Sequence, residues 1–223
     1  MNTVQVKGSN EHTRVGKIVC IGQNYAAHIK EMKAEVPTSP VFFLKPTTAL
    51  VPDGGEVILP AISHDVHHEV ELTVLIGKDA KNVAENSAMQ HVAGYGVGLD
   101  MTMRDVQNEM KKKGLPWTLA KGFDTSAPVS SFVSSKLVPN PEALTLQLNV
   151  NGTTRQHSGT NDLIFPVSKL IAYISQFVTL EKGDIIFTGT PQGVSQVKSG
   201  DTLDATLSDS KGAILASLSV HIR

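Results

Sequence analysis

Short apolar segments that end at glycine or proline recur along the chain. They lie at 17–22, 41–44, 56–59 and 183–189, and segments of this length and composition predict buried β-strands. Residues 144–150 alternate between apolar and polar side chains and are followed by Asn-Gly, the strongest short-range signal for a β-hairpin. The runs at 202–207 and 213–222 predict a second hairpin.

Helical patterns are fewer. Residues 26–33 have helix-forming composition, and Asn24 can cap them. Thr102 can cap a second helix that runs from Arg104 to Gly114, and residues 167–177 are spaced for an amphipathic helix. A βαβα rhythm is absent, which argues against a doubly wound sheet. We predict an α+β fold that is mostly β, a mixed β-sheet sandwich or roll with a few covering helices. It forms a single domain over residues 17–223, and residues 1–16 are expected to be a polar arm.

One predicted strand carries two acids on the same face. Glu69 and Glu71 are two residues apart in His-Glu-Val-Glu-Leu-Thr-Val, so their side chains lie about 7 Å apart along the strand. Carboxylates this close repel each other unless a cation lies between them. Either this face is open to water, the commoner case for Glu-x-Glu, or it holds a metal ion.

A third acid strengthens the metal interpretation. Asp100 closes the glycine-rich run 93–99, and an acid at the end of an apolar run needs a partner if it is buried. Three carboxylates without a thiolate pair favour Mg²⁺ or Mn²⁺ over Zn²⁺. His67 and His68 leave a zinc site open, although only one of two adjacent strand residues can face the acids; hydrogen bonding at the strand entry is the alternative.

Candidate proton-transfer and anion-binding groups lie on other segments. His28 and Glu31 share one helix face, so the carboxylate can orient the imidazole as a general base, although an exposed surface pair is the commoner case for His-x-x-Glu alone. Arg104 and Gln107 also share a helix face, and Lys121 lies in a glycine-containing segment. These three could bind an anionic substrate, or each could be an ordinary surface residue.

Composition excludes several classes. The formal net charge of −1 predicts neither a nucleic-acid partner nor a membrane surface. The single Cys20 excludes a disulfide framework, and no apolar leader or membrane-length run is present, so we expect a cytoplasmic protein. Neither Gly-x-Ser-x-Gly nor a Gly-x-Gly-x-x-Gly that opens a helix occurs, which disfavours a serine hydrolase and a dinucleotide site.

Seven short motifs occur in one order along the chain. They are Ile-Gly-Gln-Asn-Tyr-Ala-Ala-His at 21–28, Phe-Leu-Lys-Pro at 43–46, His-Glu-Val-Glu-Leu at 68–72, Gly-Tyr-Gly at 94–96, Arg-Asp-Val-Gln at 104–107, Lys-Gly-Phe-Asp at 121–124 and Thr-Gly-Thr-Pro-Gln-Gly-Val at 188–194. Each motif is weak alone, but the ordered set is specific, and it resembles the fumarylacetoacetate hydrolase family, most closely its acylpyruvase or fumarylpyruvate-hydrolase-like branch. The resemblance covers roughly residues 17–222.

The resemblance implies a homodimeric metalloenzyme with a small 2-oxo or 2,4-dioxo acid as substrate. It implies a water-activating dyad on a helix that closes over the site as a lid. Gln23 stands where relatives often carry other polar residues, so substrate choice could differ. The implied roles are Mg²⁺ or Mn²⁺ ligation by Glu69, Glu71 and Asp100, water activation by His28 and Glu31, enolate stabilisation by Lys121, and substrate binding by Arg104, Gln107, Thr190 and Gln23.

The implied reaction is hydrolysis of an acylpyruvate. The substrate chelates the metal, water attacks the distal carbonyl, and cleavage of the C3–C4 bond gives pyruvate and a carboxylic acid. An oxaloacetate decarboxylase or an oxaloacetate enol–keto tautomerase would use the same metal and the same enolate without an attacking water. A non-catalytic member that binds only a metal or a small acid is the third possibility.

Overall fold

The computed structural model describes residues 2–223 and divides them between many strands and four α-helices. The strands in chain order are β1 Thr3–Gln5, β2 His12–Arg14, β3 Ile18–Gly22, β4 Val41–Lys45, β5 Leu50–Val51, β6 Glu56–Val57, β7 Val66–His68, β8 Val70–Ile76, β9 Val92–Leu99, β10 Thr102–Met103, β11 Ala127–Pro128, β12 Val133–Ser134, β13 Thr145–Val150, β14 Thr153–Gly159, β15 Ile185–Phe187, β16 Ser195–Gln196, β17 Thr202–Ser208 and β18 Ile214–Ile222. The helices are α1 Ala26–Glu31, α2 Arg104–Lys113, α3 Thr118–Lys121 and α4 Val167–Phe177. Short 3₁₀ turns span Thr47–Ala49, Glu85–His91, Ser135–Leu137 and Thr160–Asp162.

Two larger sheets form the body of the fold. One has six strands in the order β12-β9-β8-β15-β3-β4, and the other has five in the order β14-β13-β17-β18-β6. The six-stranded sheet is mixed, because β15 pairs with β3 in parallel and with β8 antiparallel. Three smaller sheets pair β1 with β2, β11 with β5, and β10 and β16 with β7. The predicted α+β class, mostly β with mixed sheets, is confirmed.

The main core lies between the two larger sheets. It includes Leu72 from β8, Leu146 from β13 and Leu203 from β17, all fully buried. A second cluster covers the opposite face of the six-stranded sheet and includes Leu75 and Phe187. Both faces of β8 are therefore covered, and all seven of its residues are buried. A strand with its acids facing water, the commoner case for Glu-x-Glu, is wrong for this chain.

The glycines of β9 allow other chain segments to approach closely. A Cβ atom at Gly94 would lie 2.5 Å from the carbonyl oxygen of Val133, and one at Gly98 would lie 2.7 Å from the ring of Phe187. Glycine costs a strand conformational entropy, but here no larger residue fits without displacing a neighbour. The glycine-rich run is therefore a central strand that leads directly to Asp100.

Both predicted hairpins are present. β13 and β14 pair antiparallel around Asn151 and Gly152, which adopt φ angles of 50° and 77°. Positive φ at both central residues is the requirement of the tight turn that Asn-Gly favours. β17 and β18 pair antiparallel around residues 209–213.

Some predicted boundaries are wrong. Thr102 is predicted to cap α2, but the cap is Met103, because Thr102 pairs with His67 in β10 and its hydroxyl donates to the carbonyl of Asp100. Residues 117–141, for which no regular element is predicted, contain α3, β11 and β12.

The expected polar arm contains a hairpin. β1 pairs with β2, Val4 lies in the second core cluster, and the backbone N–H of Lys7 donates to the carbonyl of Phe132. The domain boundary at residue 17 stays a prediction, and Met1 lies outside the described residues. Within residues 2–223, every helix is too short or too polar to cross a bilayer.

Asn24 does not cap α1; Tyr25 occupies that position. The fully buried Asn24 amide instead donates to the carbonyls of Phe165 and Thr188 at 3.0 and 2.8 Å and accepts from the N–H of Phe165 at 2.8 Å. It thereby joins the chain before α1 to two distant loops.

We expect Asn24→Ala to lower the free energy of unfolding by about 2–4 kcal/mol, because it leaves buried backbone groups without partners. Urea unfolding followed by circular dichroism measures this change. Asn161→Ala is the control, since Asn161 is exposed, and it should change stability by less than about 0.5 kcal/mol. Equal stabilities of the two variants would show that the Asn24 bridge is unimportant.

Candidate metal centre and active site

Strand register brings the three acids together. Glu71 lies opposite Gly98 in the antiparallel pair of β8 and β9, and the N–H of Asp100 donates to the carbonyl of Glu69 at 2.8 Å. Glu69 itself lies at the junction between β7 and β8. Asp100 therefore emerges beside the start of β8, where both glutamates are located.

The three carboxylates form a tight buried cluster. One oxygen from each of Glu69, Glu71 and Asp100 lies within 4.8 Å of the others, and all three side chains are almost fully buried. Buried carboxylates cannot be stabilised by bulk water, so each needs cations or hydrogen-bond donors. This donor set could hold a divalent cation.

Lys121 is the main counter-charge to this cluster. It is at the end of α3, and its ammonium donates to Glu69 Oε2 at 2.7 Å, to Asp100 Oδ2 at 2.7 Å and to the hydroxyl of Thr102 at 2.6 Å. An ammonium has three hydrogens, so this geometry engages all of them. Arg104, the first residue of α2, donates to Glu69 Oε1 and, at 2.7 Å, to Gln107 Oε1.

Lys45 is a second buried lysine, at the end of β4. Its ammonium lies 2.8 Å from Asp100 Oδ1 and also contacts the carbonyls of Met101, Lys121 and Ser126. These acceptors outnumber its three hydrogens, and Asp100 Oδ1 receives no well-directed hydrogen bond. Asp100 Oδ1 is therefore held by the charge of Lys45 but not by a hydrogen bond.

The surrounding charges shift the pKa values of the two glutamates in opposite directions. Burial alone would raise the pKa of Glu69, but Lys121 and Arg104 hold it well below its usual range. Burial, with Asp100 and Glu69 nearby, raises the pKa of Glu71 well above its usual range. For Lys121, burial opposes the charge, but Asp100 and Glu69 outweigh it and raise the pKa.

The residues present fit a hard divalent cation. Asp100 Oδ1 accepts no hydrogen bond although it is buried, and the crowding of acids that raises the pKa of Glu71 is what a cation relieves. Oxygen ligands of this kind suit Mg²⁺ or Mn²⁺. The two nearby histidines bond elsewhere: His68 to Gln156 and Ser195, and His67 to Asp65.

The loop after β15 forms another wall of the site. The N–H of Gly189 donates to Glu71 Oε2 at 2.6 Å, and the hydroxyl of Thr190 donates to the carbonyl of Val70 at 2.9 Å. Gln156 from β14 locks this loop to β8, because its amide donates to Thr190 Oγ1 and accepts from the N–H of Val70. The Thr190 hydroxyl therefore has its hydrogen committed to the backbone.

The predicted pair of His28 and Glu31 forms beside the cavity that Glu69 and Glu71 border. His28 Nδ1 lies 3.1 Å from Glu31 Oε2, and the Glu31 carboxylate accepts from the N–H of Gly193. His28 is buried and borders the cavity that contains the acids, whereas Glu31 is about one-third exposed. Glu31 therefore fixes one imidazole nitrogen, and the other is left for proton transfer.

All of the predicted site residues except Glu31 and Asp100 line one narrow cavity of about 40 Å³, and those two contact the side chains that do. Gln23 enters it from a backbone with φ 59°, a conformation uncommon outside glycine. Arg104 and Gln107 are hydrogen-bonded to each other through Gln107 Oε1, which leaves the amide nitrogen of Gln107 and the buried Nε of Arg104 as donors outside that bond. The roles given to these residues remain predictions.

Sequence reasoning missed Lys45, Thr102 and Gln156. Lys45 closes an apolar strand just as Asp100 does, so the same pattern could have identified it. Gln156 lies in a polar hairpin strand with nothing in the sequence to distinguish it from its neighbours.

Comparison with known proteins agrees with this geometry. The family profile described as fumarylacetoacetate (FAA) hydrolase C-terminal matches residues 17–219. The chain belongs to the fumarylacetoacetate hydrolase family.

Three relatives carry informative names. The rat protein called oxaloacetate tautomerase FAHD1, mitochondrial, is 54% identical over 84% of this chain and 85% of its own length. The Escherichia coli protein called oxaloacetate tautomerase YcgM is 49% identical over 86% of this chain and 88% of its own. Fumarylpyruvate hydrolase from Pseudomonas aeruginosa, in complex with Mn²⁺ and pyruvate, is 37% identical with a TM-score of 0.92, covering 99% of this chain and 94% of that one.

We expect Glu71→Gln to weaken Mn²⁺ binding at least about tenfold, because the change removes a ligand charge while keeping the side-chain size. Titration followed by Mn²⁺ electron paramagnetic resonance measures the affinity. Glu142→Gln, at an exposed position, should bind Mn²⁺ like the unaltered protein. Equal affinity in the Glu71 variant, with its fold intact by circular dichroism, would remove Glu71 from the ligand set.

Proposed function

We propose that the protein is a divalent-metal-dependent oxaloacetate tautomerase that interconverts the enol and keto forms. One observation carries the proposal: a buried three-carboxylate cluster lies against a fixed ammonium, with a histidine at the same cavity. An enolate needs a stable positive field and one mobile proton carrier, and this cavity contains both. The names of relatives 49–54% identical to the chain support the same reaction.

The cofactor of the proposal is Mg²⁺ or Mn²⁺, with Glu69, Glu71 and Asp100 as ligands. When bound, the ion supplies Lewis-acid stabilisation of negative charge on the substrate oxygens. The rest of the chemistry is assigned to side chains of this chain.

Lys121 acts as a fixed cation in this scheme. Its three hydrogens are directed at Glu69, Asp100 and Thr102, and its raised pKa keeps it protonated. It therefore stabilises charge on the enolate by its field and does not serve as the base.

His28 is the proposed proton carrier. With Nδ1 held by Glu31, Nε2 is the nitrogen able to take a proton from C3 of the keto form. The C3–H electron pair then becomes the C2=C3 double bond, the π pair of the C2 carbonyl moves onto its oxygen, and His28 Nε2 returns the proton to that oxygen. The reverse sequence returns the keto form.

Gln107, Arg104, Thr190 and Gln23 are assigned to substrate orientation. The cavity of about 40 Å³ holds only a few water molecules, so a four-carbon acid requires it to widen. α1 carries His28 and is held at its end by the bond from Gly193 to Glu31. Movement of α1 is therefore the proposed entry step.

Acylpyruvate hydrolysis is the second candidate. The His28–Glu31 pair favours it, because a carboxylate-oriented imidazole is suited to removing a proton from water, and the Pseudomonas aeruginosa neighbour is named as a fumarylpyruvate hydrolase. Oxaloacetate decarboxylation would use the same enolate. A non-catalytic binder would not need the dyad, so we rank it last.

Homodimerisation and cytoplasmic location also remain proposals. The rat relative is named as mitochondrial, so location requires its own test. Size-exclusion chromatography with light scattering determines the oligomeric state.

We expect His28→Ala to lower kcat/KM for oxaloacetate tautomerisation about 100-fold or more, since general acid–base groups contribute this much. Loss of enol absorbance in the presence of Mg²⁺ measures the rate, after subtraction of the uncatalysed reaction. His157→Ala is the control, at an exposed position on β14. An active His28 variant would transfer the proton role to another group.

A Mg²⁺-supplemented panel of oxaloacetate, acetylpyruvate and fumarylpyruvate separates the candidates. The proposal predicts rapid loss of the oxaloacetate enol without matching pyruvate release, because tautomerisation breaks no carbon–carbon bond. Pyruvate release from oxaloacetate would indicate a decarboxylase. Release from either acylpyruvate, with no effect on the oxaloacetate enol, would establish the hydrolase instead.

A further inference from the structure

Lys111 is a cation at the cavity that the proposed mechanism does not use. It lies on α2, four residues after Gln107 and seven after Arg104, and this spacing places all three on one helix face. All three border the cavity that contains the acids. Lys111 is an exposed residue that also borders this buried cavity, so it lies at the mouth of the cavity.

The other two lysine and arginine groups that border the cavity are already paired. Lys121 bonds to Glu69 and Asp100, and Arg104 bonds to Glu69 and Gln107. Among residues 2–223, the Lys111 ammonium has no carboxylate partner and no hydrogen bond. Its only close partner is the ring of Trp117, whose centroid lies 5.3 Å from Nζ.

The surroundings of the Lys111 amine disfavour its protonated form. Burial and the charge of Arg104 lower the pKa of Lys111, while Glu69 opposes this effect. The Trp117 ring attracts a cation only weakly compared with a carboxylate. A bound anion near the amine would therefore give Lys111 the negatively charged partner that the protein itself does not supply.

We propose that Lys111 is a specificity residue that binds the distal carboxylate of a dicarboxylic 2-oxo acid. The inference rests on the proposed function, since it assumes that the 2-oxo acid end of the substrate lies at Glu69, Glu71 and Asp100. The distal carboxylate then points away from these acids towards the mouth, where Lys111 lies stacked on Trp117. A monocarboxylic acid has no group for this contact.

Malate and lactate provide a matched pair of probes. Both carry a 2-hydroxy acid end, and they differ by the distal carboxylate. Trp117 is the only tryptophan of the chain and borders the cavity, so its fluorescence reports binding with Mg²⁺ present and no turnover is needed.

The unaltered protein should bind malate more tightly than lactate, and Lys111→Met should remove about tenfold of that preference while leaving the lactate affinity unchanged. Lys111→Arg should retain most of it. Lys112→Met is the control, because Lys112 is exposed and borders no part of the cavity. In the tautomerase assay, Lys111→Met should raise KM for oxaloacetate about tenfold and change kcat little.

An equal malate-to-lactate ratio in the unaltered protein and in Lys111→Met would overturn the inference, as would an unaltered protein without a malate preference. This result is separate from a failure of the proposed function. Absence of oxaloacetate tautomerisation in the unaltered protein rejects the function, whereas an active enzyme with an unchanged ratio rejects only the role of Lys111.

Discussion

Burial of three carboxylates at one place is the constraint on which the site depends. Removing charges from water costs several kcal/mol per ion, and the cost is recovered only when opposite charges are well placed. Here Lys45, Lys121 and Arg104 approach the cluster from three different segments: the end of β4, α3 and the start of α2. The fold therefore has to bring these segments to the place where the start of β8 lies beside the end of β9.

The same constraint separates the tasks of the site residues. Groups that bond to the acids are immobilised: Lys121 has its hydrogens engaged, and Arg104 is held between Glu69 and Gln107. Groups above the acids, on α1 and at the cavity mouth, are not tied to them. The deep residues supply a fixed field, and His28 and Lys111 remain available to the substrate.

The sequence predicted that Glu69 and Glu71 share a face because strand periodicity determines which side chains lie together, whereas their role as metal ligands stays a prediction. Glu69 and Glu71 followed from that rule, and Asp100 from its position at the end of an apolar run. The distance between Asp100 and the two glutamates depends on the register of β8 against β9, which a single amino-acid sequence does not reveal. Resemblance to a family supplied what spacing alone left undecided, since Glu-x-Glu by itself is commoner on an exposed strand.

The side-chain contacts that the sequence did not predict also have physical causes. Thr102 has the composition of a helix cap, but pairing with β7 and bonding to Lys121 outweigh that local preference. Asn24 likewise bonds to distant loops instead of its own helix. Gln156 connects β8 to the Thr190 loop only after the hairpin has folded back, so its importance is invisible in the local pattern.

The central claim is that the three buried carboxylates form a metal centre, and an anomalous difference map of Mn²⁺-soaked crystals tests it most directly. We expect one strong peak in direct coordination contact with oxygens from Glu69, Glu71 and Asp100. No peak at this cluster, with Lys121 still bonded to Glu69 and Asp100 at saturating Mn²⁺, would contradict the claim.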